Sequence, residues 1–121
     1  MKKLTSASEY FDFEKQQILL GKFVGVVLAE KDSPENNRKA GDIIGFEIEQ
    51  ENGECTIAGN SYLINKGLTH QDCGVGSIVG IKFLGKTTNS KNQPVNRHEV
   101  ILFDSFEEGN KYYEEHGKDA F

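Results

Sequence analysis

Residues 76–104, GSIVGIKFLGKTTNSKNQPVNRHEVILFD, constrain the fold more than any other stretch, because they hold two runs of β periodicity joined by a polar, basic segment. Within Ser77–Leu84, the residues Val79, Ile81 and Phe83 share one parity and Ile78, Gly80, Lys82 and Leu84 the other; beyond the polar segment, Val100 and Leu102 alternate with Ile101 and Phe103. A period of two is that of a strand, so the stretch predicts a β-hairpin. Its tip, residues 86–94, has no aliphatic or aromatic side chain to bury, and Pro94 lacks the amide a central strand needs. The tip is therefore predicted as a solvated loop carrying Lys86 and Lys91.

The same stretch spells Gly80-Ile-Lys-Phe-Leu-Gly85-Lys86-Thr87, the string of a phosphate-cradling loop, and Val100 to Asp104 imitates the apolar strand that ends in a metal-binding aspartate. That chemistry needs an open loop whose amides wrap phosphate, with the lysine at the start of a helix. Here the residues between the glycines make a good strand, and Thr-Asn-Ser-Lys-Asn-Gln-Pro follows Thr87, a poor helix start. About a dozen residues between Lys86 and Val100 are also too few for a helix and a crossover. A nucleotide hydrolase is not the expectation.

A chain of 121 residues is long enough for one domain with one core. Its two cysteines, Cys55 and Cys73, are too few for a disulfide framework. It has no apolar run long enough to span a membrane, and Met1-Lys-Lys-Leu-Thr-Ser-Ala-Ser-Glu9 starts like a secretory signal without the apolar stretch that must follow. The expectation is a cytoplasmic protein. The net charge of −5 is uneven: residues 104–121 hold six acids against Lys111 and Lys118, leaving 13 acidic and 12 basic residues for the rest. A nearly neutral body with an acidic end can still present a local basic groove.

Taken in order, residues 1–9 are polar, and Tyr10–Phe13 reads as a short extended aromatic segment. Ile18–Glu30 is the first strand, with Val24, Val26 and Leu28 on one parity and Phe23, Gly25 and Val27 on the other. Apolar on both faces, it is expected to be covered on both. A loop with Lys31, Arg38 and Lys39 leads to a strand at Ile43–Gln50, where Ile44, Phe46 and Ile48 point inward and Glu47 and Glu49 outward. Asn52-Gly53 closes a tight turn into a third strand at Cys55–Ala58. Gly59-Asn60-Ser61 then caps a short helix over Tyr62–Leu68.

Strand, long loop, strand, tight turn, strand, helix, strand, long loop, strand is the order of an oligonucleotide-binding (OB) fold, a five-stranded Greek-key barrel with a helix between strands three and four. The expected organisation is an all-β domain over 10–104, a flexible N-terminus at 1–9 and a flexible acidic C-terminal tail at 105–121. In particular, Tyr10-Phe-Asp-Phe-Glu14, Gly21-Lys-Phe-Val-Gly25, Ile43-Ile-Gly-Phe-Glu-Ile48, Gly59-Asn-Ser-Tyr62 and Gly76-Ser-Ile-Val-Gly-Ile-Lys-Phe-Leu-Gly-Lys86 resemble small OB-fold single-stranded-DNA-binding proteins of bacteriophages and bacteria. The resemblance implies a non-enzymatic protein of DNA replication, recombination or repair. Such proteins end in an acidic tail with a terminal phenylalanine that recruits replication or recombination partners. Glu114-Glu-His-Gly-Lys-Asp-Ala-Phe121 is similar, although Lys118 interrupts it, and a short helix around Phe106–His116 is the competing reading of this end.

Sequence-tolerant binding of a single strand needs cations along a groove and π faces on which bases stack. The candidate cations are Lys22, Lys31, Arg38, Lys39, Lys82, Lys86, Lys91 and Arg97; the candidate stacking rings are Phe23 and Tyr62, with Phe46 and Phe83 assigned to the core. Glu47 and Glu49 count against a path along the exposed face of the second strand. Glu114, Glu115, Asp119 and Phe121 are the candidate partner-binding residues of the tail. His70 and Cys73 have the spacing of half a zinc site, which Cys55 and His98 would have to complete; no second regular pair exists, so a buried thiol and a surface histidine are expected. No carboxylate pair is tied to a nucleophile, and no cofactor is expected. Homo-oligomerisation stays open. The rival reading is an OB-type protein–protein adaptor or virion component without nucleic-acid binding.

Overall fold

The computed structural model describes residues 9–116. Its strands are β1 (Ile18–Leu28), β2 (Ile43–Gln50), β3 (Cys55–Gly59), β4 (Ile78–Thr88) and β5 (Pro94–Phe103); its helices are α1 (Tyr62–Leu68) and α2 (Phe106–His116). The strands form one antiparallel sheet in the order β3-β2-β1-β4-β5. β1 lies at its centre and serves two partners: Ile18–Lys22 pair with β4, and Gly21–Leu28 with β2. A register shift after Phe23 lets the second half of β1 bend away from β4.

The expected closed barrel is not formed, because β3 and β5 do not pair among the described residues. The N-terminal segment lies at the β3 edge instead. Phe11 N donates to Ile57 O at 2.8 Å and Ile57 N donates to Glu9 O at 3.0 Å, a short parallel pairing that Thr56 Oγ1 reinforces by donating to the same Glu9 carbonyl. From there the chain carries Phe13 to the far side of the sheet, edge-on to the ring of His98 in β5 with centroids 4.9 Å apart.

The inner face carries the core, in which Leu19, Phe23, Phe46, Ile48, Ala58, Val79 and Ile81 meet Ile64 and Leu68 of α1. Ser61 caps α1 by accepting from Ile64 N. The helix lies close on β5 because Gly67 has no side chain: a Cβ there would sit 2.6 Å from Val100 Cβ. Phe46 is core, as expected, but Phe23 is core too, at 4% exposure. Its parity matches that of Leu19 and Gly21, ahead of the register shift, so it cannot stack on a ligand. Beyond the shift the coverage ends: Val24, Val26 and Leu28 are 37%, 44% and 51% exposed, so this half of β1 is not covered on both faces.

The outer face of β4 and β5 has its own cover. Phe106, Gly109, Tyr112 and Tyr113 recur at helical spacing, and α2 packs against β1, β4 and β5. The Phe103 ring lies 5.6 Å from both Tyr112 and Tyr113, Gly109 sits against Leu20, and Tyr113 covers Gly80. Four successive residues of β4, Val79 to Lys82, are therefore buried. Lys82 is only 8% exposed, and its Nζ donates to His116 O at 3.2 Å, a cation placed on the carbonyl end of a helix. It is a fastening for α2 and not a groove cation. The stretch expected as free tail is thus a docked helix over 106–116, with Glu114 and Glu115 on its exposed side. Asp119 and Phe121 lie outside the described residues, as do residues 1–8. Removing 105–121 would uncover Phe103, so such a truncation is expected to lower stability.

Tyr113 Oη is buried and has no hydrogen-bond partner among the described residues, and burial pushes its pKa well above the usual phenol range. Tyr113→Phe is expected to raise stability by about 1 kcal/mol, since it removes an unpaired buried hydroxyl without altering the ring. Gly67→Ala is expected to cost about 1–3 kcal/mol through its clash with Val100. Urea denaturation checks both; equal midpoints for the three proteins would contradict this packing.

Candidate nucleic-acid interface

The β4–β5 hairpin continues past the core as an exposed two-stranded ribbon. Pairing runs out to Thr88–Pro94, so the turn proper is only residues 89–93, held by Asn89 N donating to Gln93 O and by Asn89 Oδ1 accepting from Lys91 N and Gln93 N. Lys86 is a strand residue where a loop was expected, because Thr87 and Thr88 favour the extended backbone. Pro94 is tolerated at the start of an edge strand. The Gly80–Thr87 string lies in β4, which leaves no open phosphate loop there. A second register shift, at Phe83–Gly85 with Gly85 at φ 95°, resets the faces: Phe83 pairs with His98, Gly85 with Arg97, and Lys86 with Asn96. Lys86 and Asn96 consequently share the face of Phe83 and His98. Lys86, Lys91 and Arg97 are all exposed, and no acidic residue occurs between Leu84 and His98.

The other loop is less one-sided. Lys31, Arg38 and Lys39 are exposed, on a turn tied by two hydrogen bonds between Ser33 and Arg38 and by Asp32 and Asp42, which accept from Ala40 N and Lys39 N. Glu30, Asp32, Glu35 and Asp42 offset these cations. Lys22 is exposed but pairs in register with Glu49, and Gly25 with Glu47. Desolvation, with Glu47 and Glu49 adding to it, pushes the nearby Cys55 thiol pKa up. This outer face of β1 and β2 is unfavourable to a phosphate chain.

At the root of the ribbon, in the gap between β3 and β5, lies an open cavity of about 570 Å³. Tyr10, Phe11, Phe13, Phe83 and His98 supply its rings; Asn60, Ser61 and Asn96 supply polar groups; Asp12 and Glu14 lie on its wall. Asn60 is locked, donating to Ile43 O at 2.7 Å and accepting from Asn65 Nδ2 at 2.8 Å, whereas the Asn96 amide has no partner among the described residues. His98 is 7% exposed, lies 3.4 Å from Ser61 Oγ through Nδ1, and has its pKa lowered by burial. Lys86 Nζ stands 3.5 Å from Glu14 Oε1. Tyr62 opens α1 beside Ser61, is 77% exposed and has Lys66 Nζ 6.0 Å from its ring centroid.

The structure thus gathers Lys86, Lys91 and Arg97 on one ribbon and leaves Tyr62 exposed. It removes Phe23 and Lys82 and sets Lys22 against an acid. The residues missed were Tyr10, Phe13, Asn60, Asn96 and His98. The aromatic run at 10–13 and the facing of Phe83 by His98 in the predicted hairpin were the available signals. No family model, curated protein or solved structure matches this chain.

Because the folded state disfavours protonated His98, the unfolded chain binds more protons, and stability rises with pH across this interval. The contribution is full above the unfolded pKa of about 6.5 and is lost as pH falls through the lower folded value. The urea midpoint is expected to drop between pH 7.5 and 5, and His98→Gln to flatten that drop. Identical pH profiles for the two proteins would refute a buried neutral imidazole.

Proposed function

We propose that the chain is an OB-like, non-enzymatic, sequence-tolerant binder of single-stranded DNA, acting in replication, recombination or repair for a phage or its host. The observation that carries this reading is a ribbon with no acidic residue of its own: three exposed cations along one hairpin, of which Lys86 is paired with Glu14, beside an aromatic cavity and an exposed Tyr62. Phosphates attract such a ribbon despite the net charge of −5, because screening over roughly 10 Å makes local charge decide. The shared β1, with a helix between β3 and β4, supports an OB-like ancestry for a sheet that lacks closure. Lys31, Arg38 and Lys39 would extend the path, and recruitment of partner proteins is assigned to the end of the chain at Asp119 and Phe121.

A specific observation favours the adaptor as second reading. A cavity of about 470 Å³ runs between α1 and β5, with Leu63, Val79, Val100 and Leu102 as its apolar wall and Lys66, His70 and Asp72 beside them, and Leu102 is 46% exposed. A polypeptide partner would use this wall without the cations of the ribbon.

Fluorescence anisotropy of a labelled oligo-dT and of a duplex, each at several salt concentrations, separates the two. Three phosphate contacts on a single strand give a log–log salt slope of about −2, and each of Lys86→Ala, Lys91→Ala and Arg97→Ala is expected to reduce it by about 0.7. Duplex binding is expected to be weaker. Absence of single-strand binding at low salt would overturn the proposal and leave the adaptor.

A further inference from the structure

The cavity at the root of the ribbon is not needed for phosphate contact, and its chemistry is specific. Its rings stand at angles to one another: Phe11 to Phe13 at 68° with centroids 4.6 Å apart, Phe13 to His98 at 71°, and Phe83 to His98 at 42°. These rings pack edge to face on one another and line the cavity together, so its wall is largely aromatic. One polar group on the rim, the Asn96 amide, can both donate and accept, the pair of functions that the edge of a base requires. A cation stands next to it, since Lys86 pairs with Asn96 across the ribbon.

From this juxtaposition we infer that the cavity between the 9–14 segment, the start of α1 and β5 receives one nucleobase of the bound strand, splayed out of the phosphate path. The inference rests on the single-strand reading above. The base enters against Phe13 and Phe83, the Asn96 amide meets its edge, and the adjoining phosphate replaces Glu14 on Lys86. The occupant is a strand and not a free nucleotide, because Lys91, at the tip of the same ribbon, offers a further phosphate contact beyond the cavity, while Arg97, paired with Gly85, lies on the opposite face. A single strand suits the site for a physical reason: its bases turn out without breaking a base pair. His98 stays neutral in the wall, which keeps the cavity from becoming an anion trap.

The test compares oligo-dT with an oligonucleotide of equal length whose sites are all abasic, so that backbone charge is matched and base insertion is absent. Wild type, Asn96→Ala, Phe13→Leu and Lys91→Ala are titrated with both, and a 5-iodouracil-substituted oligo-dT is photocrosslinked and mapped by mass spectrometry. Phe13→Leu keeps apolar volume under the segment while removing the π face, and Asn96 is exposed, so neither variant is expected to unfold. Phe13→Leu is expected to weaken oligo-dT about tenfold and Asn96→Ala about threefold, within what stacking on one base contributes, with the abasic strand unchanged. Crosslinks are expected at Phe13, Phe83 or Tyr10. Lys91→Ala weakens both strands equally. If wild type binds neither strand, the single-strand reading itself fails and this inference with it. Tight oligo-dT binding that Phe13→Leu and Asn96→Ala leave unchanged, or crosslinks confined to other surfaces, overturns the inference alone.

Discussion

Two pairings meet at Gly21, and the rest of the structure depends on that meeting. Gly21 faces Gln50 of β2 on one side and Val79 of β4 on the other. A Cβ there would press on the Ile48 side chain and lie 2.7 Å from Glu49 O, so the sheet can coil this tightly only around a glycine. Two residues later the register shift releases β1 from β4. One strand thereby serves both halves of the sheet, and the inner face curls far enough for Phe23, Phe46 and Ile81 to form a single core with α1.

Curling without closure leaves a gap, and the gap is where the candidate site forms. Had β3 and β5 paired, His98 and Phe83 would lie against sheet and not beside an open cavity. The 9–13 segment satisfies part of the β3 edge with its own backbone and brings aromatic rings to the opening. On the outer face, α2 packs over β4 and β5 as far as Lys82 and gives the hairpin a base buried on both sides. The ribbon emerges beyond Leu84, where side chains become exposed and the charges turn uniformly basic. A fixed base and a free end are what a cationic arm needs to meet a flexible polymer without losing its own register.

Much of this was legible in the chain. Alternation found all five strands, Asn52-Gly53 the tight turn and Ser61 the start of α1, because each signal is local. The failures share a physical cause, namely that the deciding contact is distant in sequence. Phe23 and Val24 differ in burial because neighbours along a strand point to opposite faces, and parity alone does not reveal which of two apolar faces is covered. Lys82 looked like a surface cation until α2 brought a carbonyl to it. The acidic composition of 104–121 drew attention to charge, although Phe106, Gly109 and Tyr113 already spelled an apolar stripe and Gly80 left room for it. The cavity was the least legible feature, since its walls come from four separate stretches.

Under the proposed function, a single strand of DNA would run along the β4–β5 ribbon and its root, and not across the outer face of β1, β2 and β3. Backbone amide NMR of the full chain, titrated with an unlabelled oligo-dT, tests it most directly. The account predicts shift changes at residues 12–14, 60–62 and 83–98, with Lys22, Glu47 and Glu49 unmoved. Changes centred on residues 47–57, with the ribbon unmoved, would contradict it.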